Sequence, residues 1–426
     1  FFAFLMLAAI TNYYRKGRFQ KYEIIVGTLF LLAMIPTLRN ITEENDVNIF
    51  YLAASCLREG RSMYEGPQMY GMWYYYSPLF ASLLVPFTYM PLQVIKLVIL
   101  ALNLLMLRRS YVLAKRLLQL EHSSAAVGVL LAFAIACVYP VYMNLLYGQM
   151  TLFIVWSCFE GMIQAKKMQY AKGAAALAAG INVKILPLFL FWYLLLKKEF
   201  KFMVYVGIGV AVSILLPYLF IAYPFHSTLI TQWLGLLNPL NHEHVNTVGE
   251  GGFIDFGSIV TKYFTHYSVR NESQLNITHL EHNAVLAIQM AFRGAILILT
   301  AWFVRNLKRT ADNQGSVLFA ELSFFLLCII SAFPHQRDYS VFMAAPAVLL
   351  ILQLYFSNRT KAGHLLPLVT LVNLLIMGFV LFPKFLGKAA RHFIFETRMP
   401  GIAAILFIVI FMAWLQRYQL FRSKEK

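Results

Sequence analysis

Long apolar runs alternate along this chain with short segments crowded with lysine and arginine, and no other feature restricts the fold as much. Eleven runs, at roughly 24–38, 78–107, 125–142, 149–163, 173–196, 202–223, 284–304, 316–332, 340–356, 365–382 and 400–416, stand out in the 426 residues. A helix needs about 20 apolar residues to cross the ~30 Å hydrocarbon core of a bilayer. Soluble chains carry about 25% charged residues. Here 60% are hydrophobic and 13% charged, so a soluble fold would have nothing to cover its surface. The expected class is an all-α polytopic membrane protein, a single integral membrane domain over 1–426. That excludes a soluble enzyme, a disordered scaffold and a nucleic-acid-binding module. The net charge of +17 is then read as basic residues holding loops at the cytoplasmic face. Cys56, Cys137, Cys158 and Cys328 give no disulfide framework, because three lie in apolar runs. Residues 1–10 are too short to span and read as an interfacial anchor or part of a longer segment, not as a signal peptide.

The basic residues set the topology. Segments 11–21, 108–122, 165–172, 197–201, 305–315, 357–364 and 417–426 hold 23 of the 36 basic residues and are expected to face the cytoplasm. Segments 39–75, 224–283, 333–339 and 383–398 hold 12 of the 19 acids and are expected outside. Parity then allows one crossing within 78–107, so 92–107 crosses and 78–90 lies in or dips into the outer leaflet. It also makes 173–196 a pair of short helices or a re-entrant hairpin, with Asn182, Lys184 and Pro187 at its turn. The total is about 12 crossings with both ends cytoplasmic. Residues 39–91 form a first extracytoplasmic loop with membrane-surface helices, and 224–283 a second, longer one. No internal repeat is visible.

Charges next to a membrane are the first candidates for function. Asn45 is a plausible N-cap, followed by a helical stripe of Val47, Phe50, Tyr51, Ala54 and Leu57. Asp46, at the first helical position, has two readings: it complements the helix dipole, or it serves as an ionised general base at the membrane surface. Tyr64 and the cluster Trp73-Tyr74-Tyr75-Tyr76 fit an interfacial belt or sugar recognition equally well. Gln149, in Tyr147-Gly148-Gln149, is a buried amide in search of partners. Lys184 either snorkels or meets an anionic head group. The turn Pro334-His335-Gln336-Arg337-Asp338-Tyr339 packs four polar side chains into a short link, where Arg337–Asp338 could also be a local cap. The last outer loop carries Lys384, Lys388, Arg391 and Arg398 against Glu396, which breaks the positive-inside pattern and fits an outer phosphate or anionic lipid. There is no GxxxxGK[ST], GxGxxG after a strand, or HExxH motif. The sequons at Asn271 and Asn276 are external but weak.

Four of these pieces, taken in order, resemble glycosyltransferase family 87, the α-1,2-mannosyltransferase-like group among the polyprenyl-phosphate-dependent membrane glycosyltransferases of the C-type fold. They are Asp46-Val47-Asn48-Ile49-Phe50-Tyr51 with Gly60 and Tyr64; Tyr76-Ser77-Pro78-Leu79-Phe80; Tyr147-Gly148-Gln149; and Ala179-Gly180-Ile181-Asn182-Val183-Lys184-Ile185-Leu186-Pro187. The second motif more often reads Tyr-Pro-Pro, and the family's turn near His335 is usually richer in His and Asp. The resemblance implies a multi-pass enzyme of the cell membrane, in a bacterial plasma membrane, with its active site outside. It implies transfer of a hexose, mannose first, from a polyprenyl-phosphate sugar to a hydroxyl of a lipid or glycan acceptor of the cell envelope. Its partners are that donor, the acceptor and membrane lipids. A lipid phosphate is already a good leaving group, so no metal or other cofactor is expected. Direct displacement inverts the anomeric centre. Asp46 is the expected base. Lys184, His335, Arg337, Lys384, Lys388 and Arg391 are the candidates for the donor phosphate, with Tyr64, Gln149 and Tyr76 near sugar or acceptor. The competing class is a transporter or lipid flippase, against which the absence of repeats and the dense polar outer loops both count.

Overall fold

A computed structural model describes residues 23–24, 27–28, 41–66, 73–120, 125–238, 240–241, 252–265, 275–379 and 387–421. The first expected crossing, 24–38, and Lys384 lie mostly or wholly outside these residues. Among the described residues the fold is helical, with two isolated β-bridges and no strand.

The helices are α1 (Asp46–Arg58), α2 (Pro78–Leu84, continued by a 3₁₀ segment Val85–Tyr89), α3 (Leu92–Leu117), α4 (Ala126–Leu146), α5 (Thr151–Lys166) and α6 (Tyr170–Val183). After a 3₁₀ turn Leu186–Phe189 come α7 (Leu190–Leu196), α8 (Phe200–Leu215, extended by Leu216–Leu219), α9 (Tyr223–Leu236), α10 (Phe256–Phe264) and α11 (His282–Asn306). The chain ends in α12 (Gln314–Ala332), a 3₁₀ turn Asp338–Ala344 leading into α13 (Ala345–Ser357), α14 (Leu365–Met377), α15 (Gly387–Glu396) and α16 (Met399–Arg417).

Local chemistry explains the starts that matter here. The Asn45 side chain accepts from the Val47 amide at 3.1 Å, and Asn48 reaches back to the Asn45 amide at 3.2 Å, a reciprocal cap. Val47, Phe50, Ala53, Ala54 and Leu57 are then buried along one face of α1. Ser77 caps α2 by accepting from the Phe80 amide at 3.2 Å, with Pro78 at the first helical position. Pro86 tightens the chain into 3₁₀ form and Pro91 precedes α3, so 78–107 divides into two helical pieces at the expected place. The second piece, α3, runs on to Leu117, past the expected end at 107. Residues 108–117 contain no breaker, and Lys115 and Arg116 suit the negative end of the helix dipole.

Seven helical stretches among the described residues are long and apolar enough to cross a membrane, fewer than the 12 or so expected from the runs. Of the expected runs, 24–38 lies mostly outside the described residues, and α5 and α14 have 16 and 13 residues. The run at 173–196 folds as α6 (14 residues) and the short α7, so at ~1.5 Å per residue α6 covers about 21 Å. Buried throughout from Val317 to Ala332, α12 forms the centre. Around it, α8 exposes Val204, Ile208, Val212, Leu215 and Leu219 at helical spacing, and α14 exposes Leu365, Leu368 and Val372. Such apolar outer faces suit hydrocarbon rather than water. All four cysteines are buried free thiols.

The contacts sort the links into two groups. The Gln353 side chain donates to the Leu118 carbonyl, Lys308 N to the Leu420 carbonyl and Arg417 Nε to the Lys361 carbonyl. Lys166 pairs with Glu199 at 3.0 Å, while Lys197 and Arg309 share Glu321. These bonds tie the basic segments together. The acidic links join one another instead: Trp233 Nε1 donates to the Tyr75 carbonyl, Ile254 N to the Gln336 carbonyl and Tyr263 Oη to the Thr397 carbonyl, and Asp46 N adds the link between α4 and α5 through the Tyr147 carbonyl.

Candidate active site

The start of α1 is fastened to the link between α4 and α5. The Asp46 amide donates to the Tyr147 carbonyl at 3.1 Å and Asn45 Nδ2 to the Leu146 carbonyl at 3.2 Å. Gly148 is required twice. Its φ is +65°, and a Cβ there would lie 2.3 Å from Val47 Cγ2. The approach brings Gln149 to Asp46. Gln149 is buried, its carbonyl accepts from Asn103 Nδ2 at 2.9 Å, and its side-chain amide donates to Asp46 Oδ2.

The turn after α6 comes to the same place. Gly180 lets α6 press on α5, since a Cβ there would fall 2.1 Å from Ser157 Oγ. Asn182 fixes the end of α6, with its amide on the Ala178 carbonyl (2.9 Å) and Ser213 Oγ (2.5 Å), while its own carbonyl accepts from Ser77 N at 3.2 Å. The second and fourth motifs thus meet backbone to side chain. Lys184 leaves the helix in extended conformation, its ammonium 5.5 Å from the Tyr339 ring centre and within the field of Asp46.

A base-competent carboxylate, a buried amide and a lysine from three separate motifs therefore share one spot. The sequence profile of glycosyltransferase family 87 matches residues 74–332, more than half of the chain. The chain is a member of glycosyltransferase family 87. It is therefore a transferase enzyme. No curated protein matches the chain. The matched span includes Tyr76, Gln149 and Lys184, begins after Asp46 and ends before His335.

In this family 87 transferase Tyr76 forms a wall of the spot. It stacks on Phe80 (centroids 5.3 Å apart) and meets Phe50 edge-on at 4.6 Å. Burial, with the Asp46 carboxylate adding to it, holds the Tyr76 phenol well above the ordinary tyrosine range, so it stays neutral. Tyr64 stands one layer behind: its hydroxyl donates to the Tyr76 carbonyl at 2.6 Å, and burial raises its phenol likewise.

The turn 333–339 is braced by the long loop. Phe253 pairs with Arg337 in an antiparallel bridge, and Ile254 N donates to the Gln336 carbonyl at 2.8 Å. The His335 ring lies between Tyr75 (4.8 Å) and Phe253 (5.5 Å), and the Arg337 guanidinium covers Phe253 at 5.5 Å. Asp338 accepts from the Tyr339 amide at 3.0 Å, and the 3₁₀ segment that starts there has no side-chain cap. Behind the turn, Asp255 caps α10 through Ser258 N at 3.0 Å, and Arg293 donates to the Ala332 carbonyl at 3.1 Å. Burial pushes the Asp255 carboxyl up to about 6, against the opposing field of Arg293.

The outer basic loop is placed differently. Lys388 stands exposed on α15, a helix packed on α16, while Lys384 and the Arg391 side chain lie outside what is described. Sequence reasoning gave no role to Tyr339, Asn103 or Phe253. Asn103 was legible as an amide within an apolar run. Phe253 carried no signal, because its value lies wholly in the turn it packs against.

Proposed function

We propose that this transferase moves a hexose, mannose in the first instance, from a polyprenyl-phosphate sugar to a hydroxyl of a lipid or glycan acceptor at the extracytoplasmic face of the cell membrane. The observation that carries this reading is the convergence of Asp46, Gln149 and Lys184 among the acidic links, away from the basic segments. Asp46 takes the proton from the acceptor hydroxyl as its oxygen attacks the anomeric carbon. The bond from that carbon to the phosphate oxygen breaks on the opposite face, so the configuration inverts. The departing polyprenyl phosphate keeps the electron pair and is met by Lys184, His335 and Arg337, with Lys384, Lys388 and Arg391 as further cations for an anionic head group. A phosphate ester leaves without protonation, so the mechanism calls for a base and cations and not for a metal or cofactor. Gln149 orients the base, and Tyr76, backed by Tyr64, offers an aromatic wall to the sugar.

The test is direct. Purified protein in detergent, given polyprenyl-phosphate mannose and candidate acceptors, is expected to consume the donor. Asp46→Asn keeps the size and the helix start but cannot accept the proton, and a general base contributes about 10²–10⁴-fold. Transfer is expected to fall by that factor with folding and donor binding retained. If Asp46 only complements the helix dipole, its loss would cost roughly 0.3–1 kcal/mol of stability and leave turnover intact. Turnover within a few-fold of the parent, measured on folded protein, would remove Asp46 as the base.

A further inference from the structure

Of the buried side chains of α3 two are polar, Lys96 and Asn103, and both make their contacts beside the candidate site. Lys96 is 4% exposed, and its ammonium donates to the Glu43 carbonyl, in the link that delivers Asp46. Asn103 is fully buried, and its amide donates to the Gln149 carbonyl at 2.9 Å. Gln149 in turn donates through its side chain to Asp46 Oδ2. Seven residues are nearly two turns of helix, so Lys96 and Asn103 share one face about 10 Å apart along the axis. The other buried residues of this stretch, Ile95, Ile99 and Leu100, are apolar. Both α1 and α5 pack on α3, so one helix supports the two elements that flank the Asp46–Gln149 contact.

A charge buried in a membrane helix is costly and calls for a reason. The start of α1 already has other bonds: the Asn45 cap on Val47 N, and those from Asn45 Nδ2 and Asp46 N to the link between α4 and α5. Two links bonded mainly to each other can shift as a pair. Bonds from one rigid helix to both of them fix where the pair sits.

We propose that Lys96 and Asn103 are positioning residues for transfer: Lys96 sets the height of the link that carries Asp46, and Asn103 that of the link that carries Gln149, so that the carboxylate and its orienting amide stay in register. This rests on the reading of Asp46 as base. The long stem of lysine gives the reach to a carbonyl in a separate link, while the short Asn103 acts at close range. Proton transfer depends on alignment, and a displacement of about 1 Å costs up to 10²-fold in rate.

Two variants and one double variant test it. Lys96→Met keeps the length of the side chain and removes the donor, and Asn103→Leu removes the amide at nearly constant size. Turnover and donor KM are measured with polyprenyl-phosphate mannose, and thermal unfolding follows the fold. Each variant is expected to lower kcat about tenfold with donor KM within twofold of the parent. Replacing a buried charged group by an apolar one of similar volume is often neutral or stabilising, so Lys96→Met is expected to melt no lower than the parent. Asn103 acts through Gln149, so in a Gln149→Ala background Asn103→Leu is expected to cost less than a further twofold. A residue that only holds the fold gives the opposite pattern, a lower melting temperature with kcat per folded molecule intact. That pattern in either variant would overturn the proposal, as would a full tenfold loss from Asn103→Leu in the Gln149→Ala background. If Asn103→Leu does not fold, Lys96→Met decides alone. Asp46→Asn is run in parallel: an active Asp46→Asn sinks the underlying mechanism, whereas an inactive one beside normal turnover in Lys96→Met and Asn103→Leu sinks only the role of α3.

Discussion

Asp46 and Glu321 are both carboxylates set among cations, one beside the acidic links and one among the basic ones, and their surroundings differ in kind. Glu321 is 2% exposed on the central helix α12, and its oxygens are filled by protein. Oε2 accepts from the Tyr193 hydroxyl at 2.8 Å, while Oε1 accepts from Lys197 Nζ and Arg309 Nη2, both at 2.5 Å. Three donors from two segments close around one acid, which pins α7 and the link after α11 to the core. Asp46 is half-buried at a helix start, held by the Gln149 amide and within reach of Lys184. The oxygens of Glu321 are taken up by fixed donors, so this acid serves to lock helices together. In the proposed mechanism Asp46, more exposed and held by the Gln149 amide, takes the acceptor proton. The two acids are therefore told apart by partner set and exposure, not by the presence of charge near a membrane.

The contrast breaks if the two acids fail in the same way. Glu321→Ala leaves two cations facing an empty place, and breaking a buried pair costs about 3–5 kcal/mol. We expect a large fall in thermal stability in detergent, with turnover per folded molecule within a few-fold of the parent. That is the reverse of the result expected for Asp46→Asn. Loss of turnover at unchanged melting temperature would make Glu321 a functional group and end the comparison.

Asp255 sharpens it as a third case, a buried acid near the candidate site that also only supports. Its carboxyl is raised from 3.8 to about 6, so the folded state binds the proton more tightly than the unfolded one. The stabilisation is full below about pH 4 and is lost as pH rises through 6, on the order of 3 kcal/mol in all. Asp255→Asn keeps the cap on α10 and is expected to flatten the fall in melting temperature between pH 4 and 6. An unchanged slope would assign that pH dependence elsewhere.

The smallest effect concerns how Asp46 is delivered. Gly148→Ala forces a Cβ into Val47 and strains a left-handed backbone, a cost of about 1–3 kcal/mol. Because the clash pushes α1 away from Gln149, kcat is expected to fall further than the melting temperature implies. Adding Val47→Ala removes the methyl in the way and is expected to restore part of the turnover. No recovery in the double variant would mean that backbone strain alone, and not the seat of α1, matters at Gly148.

Much of this was legible because it is local. The Asn45 cap, the Ser77-Pro78 start of α2, the breaks at Pro86 and Pro91 and the turn around Lys184 each follow from residues a few positions apart, where propensity and capping decide. The grouping of basic segments followed from charge alone. Glu321 escaped because a single acid in an apolar run says nothing about which of several lysines and arginines will face it. Lys96 is similar: it lies buried in α3 and donates to the Glu43 carbonyl, a partner that no periodicity points to.

By itself, then, the sequence determined where helices such as α1, α2 and α3 start, which runs are apolar and which links are basic or acidic, since those depend on neighbours along the chain. Only the tertiary structure decided which polar groups meet. Gln149 lies 103 residues from Asp46. The reach from Lys184 to Tyr339, like that from Phe253 to His335, exists only because separate helices and loops pack at particular heights and rotations. Those are fixed by close contacts such as Gly148 on Val47 and Gly180 on Ser157, where the size of a single side chain sets the distance between elements far apart in the chain.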